Sequence, residues 1–297
     1  GITNANGGLD INGANAKNLN QRTLNNAATA TWTGAGNIQG GQGSAINNLA
    51  GALFQIQTDA DFVNGFSGAA TFTNNGTLRK SATAGLSELQ GIWAFNNAAT
   101  GVVDVQTGIL SFNTGFSNFV GTTLTGGTYL VTGTLRFNGA NVVTNASNIV
   151  LDGTASAIQN TSGANGLANF ASNSAAGNFT VQNGRTITTP AFSNAGAVTI
   201  GVGSSILTSA GNYTQTGGTT TLLGTLDPAV NVDIQGGTLL GTGVANSNLT
   251  NAGQVNPGTS PGILTINGNY VGAGSGVLNI ALNGATAGTQ HDQLRVN

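Results

Sequence analysis

The sequence has no cysteine, no methionine, one histidine and only four prolines in 297 residues. Without cysteine it can form neither disulfides nor thiolate ligands, and thiol catalysis is excluded. Charge is equally scarce. Charged residues make up 5% of the chain, against about 25% in ordinary soluble domains. Seven basic and nine acidic side chains, for a net charge of −2, supply no basic stripe to neutralise phosphates. Nucleic acid is therefore not an expected partner. No apolar run approaches the roughly 18 residues a membrane-spanning helix needs, so no membrane insertion by this segment is expected. There is also no basic-then-apolar leader. A chain that starts at Gly1 and lacks methionine altogether reads as a processed or excised piece of a longer product.

Glycine is abundant instead, at 48 residues. With four prolines and no Gly-X-Y period, collagen is excluded. Hydrophobic residues reach 39% and gather in strand-length clusters, which argues against a disordered chain. Leu53-Phe54-Gln55-Ile56-Gln57, Val102-Val103-Asp104-Val105, Thr134-Leu135-Arg136-Phe137 and Val198-Thr199-Ile200 are such clusters. They are rich in β-branched and aromatic residues and alternate with period two, as strands do. Asn-Gly pairs stand beside them at Asn75-Gly76, Asn138-Gly139, Asn183-Gly184, Asn267-Gly268 and Asn283-Gly284, where tight corners need φ > 0. Asn side chains stacked at equal heights could also bond to one another along an axis.

The clusters repeat. Asn194-Ala195-Gly196 returns as Asn251-Ala252-Gly253, Ile206-Leu207-Thr208 as Ile263-Leu264-Thr265, and Asn212-Tyr213 as Asn269-Tyr270, each 57 residues later. Gly217-Gly218-Thr219 returns as Gly236-Gly237-Thr238 after 19, so 57 reads as three units of 19. Phe72-Thr73-Asn74 returns as Phe95-Asn96-Asn97 after 23, so the period is looser in the first half. Units this short suit single coils of a solenoid rather than helix pairs. The expected fold is all-β: a right-handed parallel β-helix with coils of about 19 residues, running through 1–297 as one continuous β-solenoid. About 14–16 coils would span about 70 Å at one strand spacing per coil. The segment from Ala155 to Gly177, poor in strand residues, is expected to be a long loop or a softer coil.

The stretch NAGQVNPGTSPGILTINGNY, from Asn251 to Tyr270, resembles the N-x-G-x-x-x-PG-x-SPG-x-L-x-I-x-GNY blocks of bacterial autotransporter passenger domains and related surface β-strand-repeat proteins. The resemblance is strongest over Phe192 to Val296. It implies a secreted or surface-displayed stalk, extracellular or on the bacterial cell surface, that mediates adhesion, self-association or matrix building. No translocating barrel segment accompanies it.

Sites for chemistry are sparse. Asp59-Ala60-Asp61 is the one place where two carboxylates share a strand face; Asp104, Asp152, Asp227 and Asp233 are scattered. His291-Asp292, with no second histidine, suits a surface turn better than a triad or a metal site. No catalytic residue, cofactor site or metal site is assigned, and an enzyme is not expected. Arg79, Lys80 and nearby Glu88 are the one concentration of charge; Arg79, Lys80 and Trp93 form the candidate ligand patch, against the simpler reading of a solvated edge. Trp32 reads as a packing residue, with carbohydrate stacking as the alternative. Leu294 and Val296, on a last strand without a closing cap, form a candidate assembly end. Expected partners are other copies, end-to-end or lateral, or a surface or glycan ligand. The competing functions are a polysaccharide-degrading β-helix and a Thr-rich ice or crystal-surface binder, the latter suggested by Thr31-Trp32-Thr33, Thr71-Phe72-Thr73 and Thr219-Thr220-Thr221.

Overall fold

A computed structural model describes residues 1–259 and 261–297; Ser260 of the quoted SPG block lies outside the described residues. Among the described residues there is no helix, and the chain is a parallel β-solenoid. It folds into two compact units, Gly1–Asn141 with Ala155–Gly166, and Val142–Thr154 with Leu167–Asn297.

In the first unit, each coil contributes strands to three faces. One face stacks Ile2–Ala5, Thr23–Asn26, Ser44–Asn48, Ala70–Asn74 and Trp93–Asn97. A second runs from Leu9–Ile11 through Thr29–Trp32, Leu53–Ile56, Thr77–Lys80 and Val102–Val105 to Thr128–Val131. The third runs from Lys17–Asn18 through Ile38–Gly40, Phe62–Asn64, Leu86–Leu89, Ile109–Phe112 and Thr134–Phe137 to Ala157–Gln159. A single antiparallel hairpin, Phe119–Val120 against Thr123–Leu124, interrupts the pattern. The second unit repeats the plan. Its faces begin at Thr144–Asn145, Asn148–Asp152 and Thr186–Thr189 and end at Tyr270–Gly272, Val277–Leu278 and Gln293–Val296.

The strands form because alternate residues bury on one side only. Thr23–Asn26, Leu53–Ile56 and Thr134–Phe137 each alternate between half-exposed and buried positions. Their buried members stack into columns at equal height, such as Leu24, Ile46, Phe72 and Phe95. Aromatic rings thicken the first unit's core: Phe62 packs edge-on to Trp32, Phe72 and Trp93 with centroids 5.0, 5.8 and 5.5 Å away. Such edge-to-face pairs contribute about 0.5–1.5 kcal/mol each beyond burial.

Coil length is set by the corners. Ile2, Thr23, Ala45, Thr71 and Ala94 stand at one height in consecutive coils, in steps of 21, 22, 26 and 23 residues, and the spacing over the chain is about 22. The 19-residue step holds where it was read, at Thr219 opposite Thr238. The 57-residue offset is three coils, from Asn194 to Gln215 to Ile234 to Asn251, but in steps of 21, 19 and 17. On the neighbouring face the letters mislead. Ile206 is in register with Leu226, Ala245 and Ile266, not with Ile263. A displacement of three residues is odd, so matching Ile206 to Ile263 would turn the strand inside out; Ile206 and Ile266 are both buried, whereas Ile263 is half-exposed. The segment from Ala155 to Gly177 is also more ordered than a loop. Ala157–Gln159 pairs with Thr134–Arg136 in the first unit, and Ser172–Asn173 pairs with strands on both sides in the second.

Candidate functional site

The expected ligand patch does not assemble on the surface. Lys80 is fully buried, and so is Trp93. The reason is strand parity: Leu78 and Lys80 point inward, so the Lys80 stem stands in the core column between Ile56 and Val105. Its ammonium emerges at a corner, where it donates to Thr58 O at 2.7 Å, Thr83 Oγ1 at 2.6 Å and Asp59 Oδ1 at 2.9 Å. All its donors are thereby used, as an isolated buried charge would be costly. Arg79, one residue earlier, faces outward and bonds Asp104 Oδ2 through Nε at 2.7 Å. Trp93 donates its indole N–H to Val63 O at 3.1 Å and packs on Phe62. Trp32 is likewise fully buried, which removes it as a carbohydrate platform.

The carboxylates are divided by their surroundings. The hydrogen bond from Lys80 holds Asp59 below the usual carboxylate range. Burial pushes Asp61 up, and the neighbouring charge of Glu88 adds to it. Asp61 Oδ1 accepts the Glu88 backbone N–H at 2.8 Å, and Oδ2 accepts Gln90 Nε2 at 2.9 Å. Glu88 Oε1 in turn accepts the Ser111 hydroxyl at 2.9 Å. Elsewhere, Asp152 accepts from Gln182 and Asn183, and Asp233 from Gln235. Among the described residues, no group of three or more His, Cys, Asp or Glu side chains is placed to hold a metal ion.

The most extended polar constellation is a buried asparagine ladder. Asn26, Asn48, Asn74 and Asn97 are all fully buried at one height of the first face. Asn26 Nδ2 donates to Asn48 Oδ1, Asn48 to Asn74 and Asn74 to Asn97, each at 2.8 Å. Asn26, Asn48 and Asn74 also donate to the carbonyls of Leu53, Thr77 and Val102, and Asn97 Nδ2 donates to Thr128 O. Asn118 ends the row with backbone bonds to Asn97 in both directions. In the second unit Asn145, Asn173 and Asn194 are linked in the same way at 2.9 Å. There Asn194 passes the chain of bonds to Thr220, and Thr220 to Gln215. Apolar Ile234 then interrupts it, and Asn251 bonds Tyr270 Oη at 3.0 Å instead.

The ladder explains the Asn-x-Gly spelling. Asn194 Oδ1 and Asn251 Oδ1 accept the N–H of Gly196 and Gly253, stitching each corner two residues on. Glycine is needed for closeness: a Cβ on Gly196 would lie 2.2 Å from Gly177 O and 2.3 Å from Ser174 O. The signal in the sequence is an apolar residue, any residue, then asparagine, as in Phe72-Thr73-Asn74, Phe95-Asn96-Asn97, Phe192-Ser193-Asn194 and Leu249-Thr250-Asn251. Period-two geometry sends the asparagine to the same interior as the apolar residue before it.

Two further expectations change or find their place. Asp292 is a buried clamp, not a surface turn: Oδ1 accepts the Gly262 N–H at 2.8 Å and Oδ2 the Ala281 N–H at 2.9 Å. It therefore ties Gly262, at the end of the quoted PG-x-SPG block, to Ala281. Leu294 and Val296 lie opposite Leu264 and Ile266 on the outermost strand of their sheet; Leu294 is half-buried and Val296 exposed.

No family model, curated protein or solved structure matches this chain. Buried amides tie coil to coil along the axis, and most of the polar groups that sequence singled out are engaged in holding corners.

Proposed function

We propose that this chain is a non-catalytic structural or adhesive β-solenoid, a stalk or fibre segment of an extracellular or bacterial cell-surface protein. The observation that carries the reading is the buried ladder from Asn26 to Asn97, whose amides bond both to each other and to the next coil's backbone. Satisfied buried amides resist sliding between coils, because any slip leaves several polar groups unpaired at once. Coils tied this way hold together chiefly through neutral amides, with two ion pairs beside them, and a 5% charged fraction leaves little electrostatic repulsion between neighbouring copies. The partners that fit are other copies of the chain or an uncharged surface, glycan included. The resemblance of Asn251–Tyr270 to passenger-domain blocks supports the same placement. The polysaccharide-degrading alternative draws less support: Asp61 and Glu88 spend their oxygens on Gln90, Ser111 and the Glu88 backbone N–H.

Electron microscopy of the purified chain across a concentration series tests the reading. Uniform filaments longer than one molecule support self-association. Dispersed short rods that adhere to neither cells nor polysaccharide, or hydrolysis of a polysaccharide by the chain, overturn it.

A further inference from the structure

The chain carries nine Asn-Gly pairs, and the fold holds only some of them. The N–H groups of Gly65, Gly76, Gly166 and Gly184 donate to Gly40 O, Asn48 O, Ile158 O and Ser204 Oγ at 3.1, 3.2, 2.9 and 3.1 Å. Asn183 is held a second time, because its amide bonds Asp152 Oδ1 at 2.6 Å. At Asn267-Gly268 the side chain is held: Asn267 donates to Asn246 Oδ1 at 2.8 Å and accepts from Asn297 Nδ2 at 2.7 Å. The other four pairs, Asn6-Gly7, Asn12-Gly13, Asn138-Gly139 and Asn283-Gly284, are exposed at both residues. Among the described residues, no hydrogen bond reaches their side-chain amides or their glycine N–H groups. The turn at Asn138 shows how this arises. Ala140 N–H closes it onto Phe137 O at 3.2 Å and Asn138 N–H goes to Phe112 O at 3.0 Å, which leaves the Gly139 N–H, at φ 67°, without a partner in the middle of the turn.

We propose that Asn6, Asn12, Asn138 and Asn283 are sites of non-enzymatic deamidation, with water as co-reactant, and that the held pairs are spared. The glycine nitrogen, its proton taken by hydroxide, attacks Cγ of the preceding asparagine. The N–Cγ bond forms, the Cγ–Nδ2 bond breaks, and ammonia leaves. Water then opens the succinimide ring at either carbonyl, giving aspartate or isoaspartate, with no change of oxidation state. Glycine favours the attack because it has no Cβ to crowd the ring and its backbone turns freely. A glycine N–H committed to an acceptor must first give up that bond, at about 1 kcal/mol net and more where the group is buried, as at Gly76 and Gly166. A side chain held on its neighbours, as at Asn183 and Asn267, must let go before it can fold back onto its own backbone. Each conversion adds one negative charge to a chain whose net charge is −2.

The full chain and a peptic digest of it, as the unstructured reference, would be held side by side at about pH 8 and about 37 °C, then mapped by mass spectrometry for isoaspartate and for the gain of about 1 Da at each site. In the folded chain Asn138, with Asn6, Asn12 and Asn283, is expected to react within about threefold of its rate in the digest, and Asn75 and Asn183 to react about tenfold or more slowly than in theirs. Asn138 slowed as much as Asn75, or Asn75 and Asn183 reacting as fast in the folded chain as in the digest, overturns the proposal. None of the four asparagines belongs to the buried ladder, so failure here leaves the stalk reading standing, and a chain that forms no filaments leaves the deamidation pattern standing.

Discussion

Replacing Asn74 with alanine should be among the most damaging single changes in the first unit, although it adds no charge and no bulk. Asn74 is fully buried, donates to Asn97 Oδ1 at 2.8 Å and Val102 O at 3.0 Å, and accepts from Asn48 at 2.8 Å. Three hydrogen bonds at about 1 kcal/mol net each give about 3 kcal/mol. Stranding Asn97 Oδ1 without its donor adds about 1–2 kcal/mol, for a total of about 4–5 kcal/mol. The control is Asn47→Ala. Asn47 sits one residue from the ladder but faces outward, with a part-buried bond to Asn25 at 2.9 Å, and its removal should cost about 0.5 kcal/mol or less. Urea unfolding followed by tryptophan emission suits the comparison, because Trp32 and Trp93 are both buried in this unit. If Asn74→Ala and Asn47→Ala unfold within about 0.5 kcal/mol of each other, the ladder is not what holds these coils, and the argument fails.

Three further outcomes follow from the same geometry. Lys80→Met should stay within about 1 kcal/mol of wild type in the urea assay, because a thioether can fill the column between Ile56 and Val105 and Asp59 is exposed enough to rehydrate, whereas Lys80→Ala should lose about 2–4 kcal/mol to the cavity. Asp292→Asn puts an N–H donor against one of the Gly262 and Ala281 N–H groups; amide exchange at those two positions should speed by about tenfold or more, and unchanged protection would refute the clamp. Burial raises the Tyr129 and Tyr213 phenols above their ordinary range, so the stability of the neutral form is present below about pH 10 and lost as pH climbs. Their phenolate absorbance should therefore appear only together with unfolding, and stepwise ionisation in a folded chain would count against that burial.

Much of the architecture was legible because strand chemistry is local. Alternation in Leu53-Phe54-Gln55-Ile56 states which residues bury without reference to any other coil. The Gly-Gly-Thr return from 217 to 236 states a true coil step. The candidate site was less legible. Lysine is usually exposed, so the sequence presents Lys80 as surface charge, and only the parity of Thr77–Lys80 against its neighbours turns it inward. In the sequence asparagine points chiefly to corners, yet Asn74 is the last inward position of its strand and Asn75 takes the corner.

By itself, then, the sequence determined an all-β solenoid with short coils, few charges and Gly/Asn corners, since each of these follows from composition and from period-two patterning along a single strand. The tertiary structure decided register: that Ile206 shares its column with Ile266 rather than Ile263, that the asparagines stand at one height and that Lys80 enters the core. The physical reason is that corners of variable length cost little backbone energy to lengthen or shorten, so sequence spacing alone does not set which residues meet between coils. That choice belongs to the interior, where a shift of one residue would expose a whole column of apolar side chains and leave the amides of the ladder unpaired.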